Sequence, residues 1–102
     1  METVLTTKEF GSQTAKGNWV IDFWASWCPP CRMMAPQFEA ASKEYTKAKF
    51  GKLDVDAEGE IAQKFQVMSI PTLIFMKDGK EVSRSVGLVQ KDVIISKAKS
   101  LF

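Results

Sequence analysis

Along the chain the apolar residues switch repeatedly between a period of two and a period near three and a half, and each switch marks an element. Asn18 to Ala25 (NWVIDFWA) is dense in β-branched and aromatic residues on both alternating faces, the pattern of a central strand covered on both sides. From Cys28 to about Ala48, the apolar Met33, Met34, Phe38, Ala41 and Tyr45 recur mostly at spacings of three and four, as one buried helix face requires. Pro29 and Pro30 suit the head of that helix, because first-turn N–H groups have no helical partner. Pro36 lies inside it and predicts a kink, since its ring opposes the carbonyl of Arg32.

The remaining elements follow the same logic. Thr3 to Leu5 reads as a short first strand, and Thr7 as the cap of a helix that ends near Gly17. Lys49 to Val55 reads as a strand, Gly59 to Phe65 as a short helix and Thr72 to Lys77 as another strand. Asp78-Gly79 is a hairpin turn into Glu81 to Val86. From Gln90 to Leu101 a last helix places Val93, Ile94, Ala98 and Leu101 on one stripe. The order is βαβαβαββα, an α/β protein, expected to form one domain over residues 1–102.

Composition narrows the function. With 45% hydrophobic and 25% charged residues in 102 positions, a real core is expected without staples. The balance of 14 Lys+Arg against 12 Asp+Glu gives only +2, spread along the chain, which argues against nucleic-acid binding. The longest apolar-leaning run, Trp19 to Trp27, contains Asp22 and falls far short of the ~20 residues of a membrane span. Met1 to Lys8 has no basic region followed by an apolar one, so a cytoplasmic protein is expected. No histidine is present, which removes the commonest general base and metal ligand.

What chemistry remains centres on Trp27-Cys28-Pro29-Pro30-Cys31, at the end of a buried strand and the head of a helix. A helix N-terminus carries roughly +0.5 of an elementary charge and free N–H groups, so it favours a sulfur as thiolate, the form that attacks disulfides. Cys28 is best placed for attack, and Cys31 can close a disulfide with it across the first turn. A purely structural disulfide would close too small a loop to constrain the unfolded chain much. A metal knuckle would lack two ligands, there being no other Cys and no His.

Asp22 interrupts a strand that is otherwise apolar on both faces. A buried carboxyl has its pKa raised, and one raised towards neutrality can take the proton from Cys31 when that thiol must become a nucleophile. Lys52, within a strand pattern, is its candidate charge partner. Trp27, beside the cysteine on a predicted loop, is the aromatic residue expected to face a partner.

Together, Trp24-Ala25-Ser26-Trp27-Cys28-Pro29-Pro30-Cys31, Asp22, Pro36, Lys52, Ile70-Pro71-Thr72, Asp78-Gly79 and Val86-Gly87 resemble the thioredoxin family over the whole chain. The resemblance implies a thioredoxin fold, with a central mixed sheet flanked by helices and a cis peptide before Pro71 lying against the cysteines. It implies catalysis by Cys28, Cys31, Asp22 and Lys52. Substrate chains would dock over Trp27, Pro29, Pro30, Met68, Ser69, Ile70, Pro71, Gly87 and Leu88. Disulfide-containing proteins would be the substrates and thioredoxin reductase the electron source, with no cofactor beyond the dithiol and a monomeric chain. Two departures stand out. Pro29-Pro30 replaces the usual Gly-Pro and also resembles membrane-anchored or periplasmic thioredoxin-like reductases, and Met68-Ser69 stands where a basic residue often precedes a small one. The expected activity is reduction of protein disulfides, the alternatives being a net oxidant or isomerase and a non-catalytic binding subunit using the apolar rim around Trp27 and Ile70.

Overall fold

A computed structural model describes residues 2–102; Met1, at the edge of the expected domain and of the N-terminal reading, lies outside the described residues. The elements are β1 (Glu2–Val4), α1 (Phe10–Thr14), β2 (Asn18–Trp24), α2 (Pro29–Glu44), β3 (Lys49–Asp54), α3 (Gly59–Lys64), β4 (Thr72–Lys77), β5 (Lys80–Val86) and α4 (Lys91–Leu101). Their order is the expected βαβαβαββα. The five strands form one mixed sheet in the order β1-β3-β2-β4-β5. The β1–β3 and β3–β2 pairs are parallel, and β2–β4 and β4–β5 are antiparallel. No helix among the described residues is long and apolar enough to cross a membrane.

Alternation along the inner strands sorts side chains into two cores. Val20, Phe50, Leu73 and Phe75 pack against Met34, Phe38 and Ala41 of α2 and Ile94, Ile95 and Ala98 of α4. Trp19, Ile21, Phe23, Leu53, Ile74 and Met76 pack on the other face against Phe10 of α1 and Ile61 and Ala62 of α3. Phe23, Phe38, Phe50 and Phe75 are fully buried, and such a side chain contributes roughly 1.5–3 kcal/mol by leaving water.

Several expectations need correction. Helix α1 starts at Phe10 with Glu9 before it and no side-chain cap, rather than at a Thr7 cap. Only Phe10 and Thr14 of this short helix are buried, so tertiary packing and not capping sets its bounds. Helix α2 ends at Glu44, because Tyr45 is extended (φ −105°, ψ 109°) and its N–H closes the last turn on Ala41. Pro36 lies inside its span, as expected. Met33 is 64% exposed and leaves the apolar stripe, whereas Met34 is buried. On α4, Val93 faces outward and Ile95 inward. In each run of adjacent apolar residues, Met33-Met34 and Val93-Ile94-Ile95, one residue lies off the buried face, and periodicity did not say which.

The hairpin turn is as expected. Asp78 (φ 49°) and Gly79 (φ 83°) both take the left-handed region that a tight two-residue turn between twisted strands requires. Asp78 also clasps the turn before β2, accepting from Gly17 N–H at 2.8 Å and donating its own N–H to the Gly17 carbonyl at 2.9 Å. This stitch lies at the N-terminal end of β2, opposite the cysteines.

Candidate active site

The cysteines inherit their position from β2. Its segment Val20–Phe23 is completely buried and hydrogen-bonded on both sides, and it delivers the chain through Ala25, Ser26 and Trp27 to Cys28. The Cys28 N–H closes the turn on the Ala25 carbonyl at 3.2 Å. Cys28 is the N-cap of α2, with extended backbone (φ −94°, ψ 108°), and Pro29 and Pro30 occupy the first helical positions. Cys28 and Cys31 are joined as a disulfide with their Cα atoms 5.2 Å apart. Both residues are nearly enclosed, at 3% and 2% exposure.

Among the described residues, one backbone donor is aimed at the Cys28 sulfur. The Cys31 N–H points at Cys28 Sγ from 3.3 Å, the place a capping oxygen takes in an ordinary helix. The two preceding prolines have no N–H to offer, so the helix end aims a single donor there instead of the usual set. Ile70 presents its carbonyl oxygen 3.8 Å from the same sulfur.

The segment that brings Ile70 there contains a cis peptide between Ile70 and Pro71. Thr72 Oγ1 donates to the Ser69 carbonyl at 2.7 Å, and Gly87 N–H donates to the Pro71 carbonyl at 2.8 Å. Gly87 takes φ 101°, a conformation that strains any residue with a Cβ. These bonds tie the turn before β4 to the end of β5. Around the disulfide, Trp27, Pro29, Pro30, Met68, Ser69 and Leu88 are exposed, Ile70 and Gly87 half-buried, and Pro71 buried. Met68 is 93% exposed.

Asp22 lies in the β2 register opposite Lys52 of β3 and Leu73 of β4. Alternation from Val20 puts it on the face covered by α2. It is fully buried, and neither carboxyl oxygen has a hydrogen-bond partner among the described residues. Burial pushes its pKa up from 3.8 to about 7, against a downward pull from Lys52 and a further upward push from Glu2. The expected pairing with Lys52 is looser than a salt bridge. The Lys52 ammonium instead sits 4.5 Å from the centre of the Trp24 ring, a cation–π contact.

Two residues escaped the sequence reading. Asp56 accepts a 2.7 Å hydrogen bond from Trp27 Nε1, and Glu2 lies close enough to Asp22 to act on its charge. No local pattern distinguishes an acid just past a strand or one ahead of the expected first strand, Thr3 to Leu5.

Two sulfurs three residues apart, able to close on each other at a helix head, can do one thing that neither does alone: pass an electron pair to or from another disulfide. The chain is therefore a thiol–disulfide oxidoreductase. A family model described as Thioredoxin matches residues 2–100. The chain is 45% identical to a thioredoxin of Chlamydia muridarum over 95 residues, covering 93% of each chain. It is 50% identical to Thioredoxin-2 of Saccharomyces cerevisiae over 84 residues, covering 80% of this chain and 81% of the other. It is 46% identical to a thioredoxin of Staphylococcus aureus over 89 residues, covering 86% of each. The chain belongs to the thioredoxin family and is a protein-disulfide reductase of that type, which implies disulfide substrates and a reductase that returns the electrons.

Proposed function

We propose that Cys28 is the attacking sulfur, Cys31 the resolving one and Asp22 the group that takes the Cys31 proton. The Cys28 thiolate attacks a substrate disulfide, forms a mixed disulfide and expels one substrate thiolate. Asp22 accepts the proton of the Cys31 thiol; the resulting thiolate attacks Cys28 Sγ, closes the Cys28–Cys31 disulfide and releases the second substrate sulfur. Two electrons pass to the substrate, and the dithiol is the whole redox group, with neither metal nor cofactor. The observation that carries these roles is the asymmetry of the helix head, where the Cys31 N–H points at Cys28 Sγ at 3.3 Å. A thiolate at Cys28 gains from that donor, and one at Cys31 does not.

The exposed rim of Trp27, Pro29, Pro30, Met68, Ser69 and Leu88, with Ile70, Pro71 and Gly87 behind it, is the surface over which substrate chains dock. Lys52 tempers Asp22 from the next strand. Electrons come from a thioredoxin reductase, and the chain works as a monomer in the cytoplasm. In the cytoplasm thiols are kept reduced, and a disulfide there is usually transient and catalytic. Catalytic amounts of the chain should accelerate reduction of a disulfide-bonded protein by dithiothreitol, and replacing either cysteine by Ser should stop turnover. Turnover surviving in both Ser variants would refute the dithiol mechanism.

A further inference from the structure

A second carboxyl, on half-buried Glu2, lies on the same side of the sheet as Asp22 with one oxygen enclosed. In the sheet, Glu2 of β1 lies beside Phe50 of β3, and Phe50 beside Val20 of β2; two residues further along, Val4, Lys52 and Asp22 make the next such row. By alternation Glu2, Lys52 and Asp22 all project to the α2 side of the sheet. Glu2 Oε1 is buried without a hydrogen-bond partner among the described residues, as are both oxygens of Asp22. Lys52, in the row between them, has its ammonium over the Trp24 ring and forms no salt bridge with either acid among the described residues.

We propose that Glu2 is a positioning residue for the proton step at Asp22: its carboxylate opposes the positive charge that Lys52 places beside Asp22, and so keeps Asp22 able to accept a proton near neutral pH. The inference rests on the reading of Asp22 as the acceptor of the Cys31 proton. The charged groups around the pair are few. Asp22 feels Lys52 from β3 and Glu2 from β1. It also has β4 alongside, whose Thr72–Met76 segment carries no ionisable side chain, and α2 above, whose Cys28–Cys31 pair is a disulfide. Glu2 is itself raised, first by burial and then by Glu39 of α2, while Lys52, the α-amino group and Lys43 of α2 pull it down. The sign is fixed by charge: a carboxylate near Asp22 disfavours ionised Asp22, and a neutral or cationic side chain removes that effect.

The test is a charge series at position 2, Glu2→Asp, Glu2→Gln and Glu2→Lys, in the full chain. Two quantities are read: the Asp22 carboxyl titration by carbon-13 NMR, and the pH profile of mixed-disulfide resolution by Cys31. The Asp variant should titrate like the parent. Gln should move the Asp22 midpoint to lower pH and Lys further, with resolution becoming faster on the acid limb and its plateau lower. A merely structural role for Glu2 would not order the variants by charge. An Asp22 midpoint unchanged in Gln and Lys would overturn the proposal while leaving Asp22 as the acceptor. A midpoint that moves without the kinetic profile following it would overturn the proposal by removing the acceptor role on which it rests.

Discussion

Trp27 and Asp56 are joined by a 2.7 Å hydrogen bond from the indole Nε1 to Oδ2, which ties the cysteine-bearing loop to the turn after β3. Trp27 is 63% exposed, so the bond does little for the core and much for the ring's orientation. Asp54 orders that turn from behind, with Oδ1 accepting the Asp56 N–H at 2.9 Å. Asp56→Ala should therefore change stability by no more than about 1 kcal/mol while raising KM for protein substrates several-fold. Urea unfolding and steady-state kinetics separate the two effects, and an unchanged KM would show that docking does not depend on a fixed indole.

Thiol reactivity tests the assignment of roles. Cys28 and Cys31 are almost equally enclosed in the disulfide, and the Cys31 N–H favours a thiolate at Cys28 alone. In the reduced protein, iodoacetamide should modify Cys28 roughly tenfold or more faster than Cys31 near neutral pH. Equal rates, or preference for Cys31, would reverse the roles. Cys31→Ser should trap substrates as mixed disulfides through Cys28.

Asp22 ties stability to pH. Its folded pKa of about 7 stands above the ordinary 3.8, so between those values the folded chain holds a proton that the unfolded chain has released. Stability contributed by this group is present at low pH and is lost as pH rises through that window. About three pKa units correspond to roughly 4 kcal/mol at most. Asp22→Ala should be more stable than the parent at pH 8, with the gain shrinking towards pH 4, and should slow resolution of the mixed disulfide. Denaturant titrations across pH check the first part and single-turnover kinetics the second. A stability loss at pH 8 would mean that the carboxylate is well paired.

Pro29 and Pro30 leave Cys28 with one aimed N–H. Pro30→His restores a second and brings a ring able to carry positive charge. The Cys28 pKa should fall and the reduction potential rise, because stabilising the thiolate stabilises the reduced protein. If the thiolate gained about 1.4 kcal/mol, the rise would be roughly 30 mV for a two-electron couple. Equilibration with glutathione, read by alkylation, measures it. An unchanged or lower potential would assign the poise to ring stiffness.

How much of this was legible in the sequence depended on whether a signal was local. Asn18 to Ala25 announced a doubly covered strand because its composition is extreme, and Asp78-Gly79 announced its turn because few residues tolerate two positive φ values in a row. Asp22 was conspicuous for being the wrong residue in an apolar run. Met33 and Val93 were misplaced because each adjoins another apolar residue, and only packing decides which of two neighbours is buried. Asp56 and Glu2 were invisible because their importance arises from residues 29 and 20 positions away. The contact of Lys52 with Trp24 likewise depends on β2 and β3 lying side by side.

The burial of β2 has a dynamic consequence. Val20–Phe23 is hydrogen-bonded to a parallel strand on one side and an antiparallel one on the other, with no exposed edge. Its amides can exchange with solvent only when the sheet itself opens, so they belong to the slowest-exchanging class, limited by global unfolding. Cys28 lies five residues beyond this segment and Cys31 eight. Their cycle of bond making and breaking is thus anchored to the last part of the molecule to yield, and fluctuations that loosen the outer strands β1 and β5 need not reach the reacting atoms.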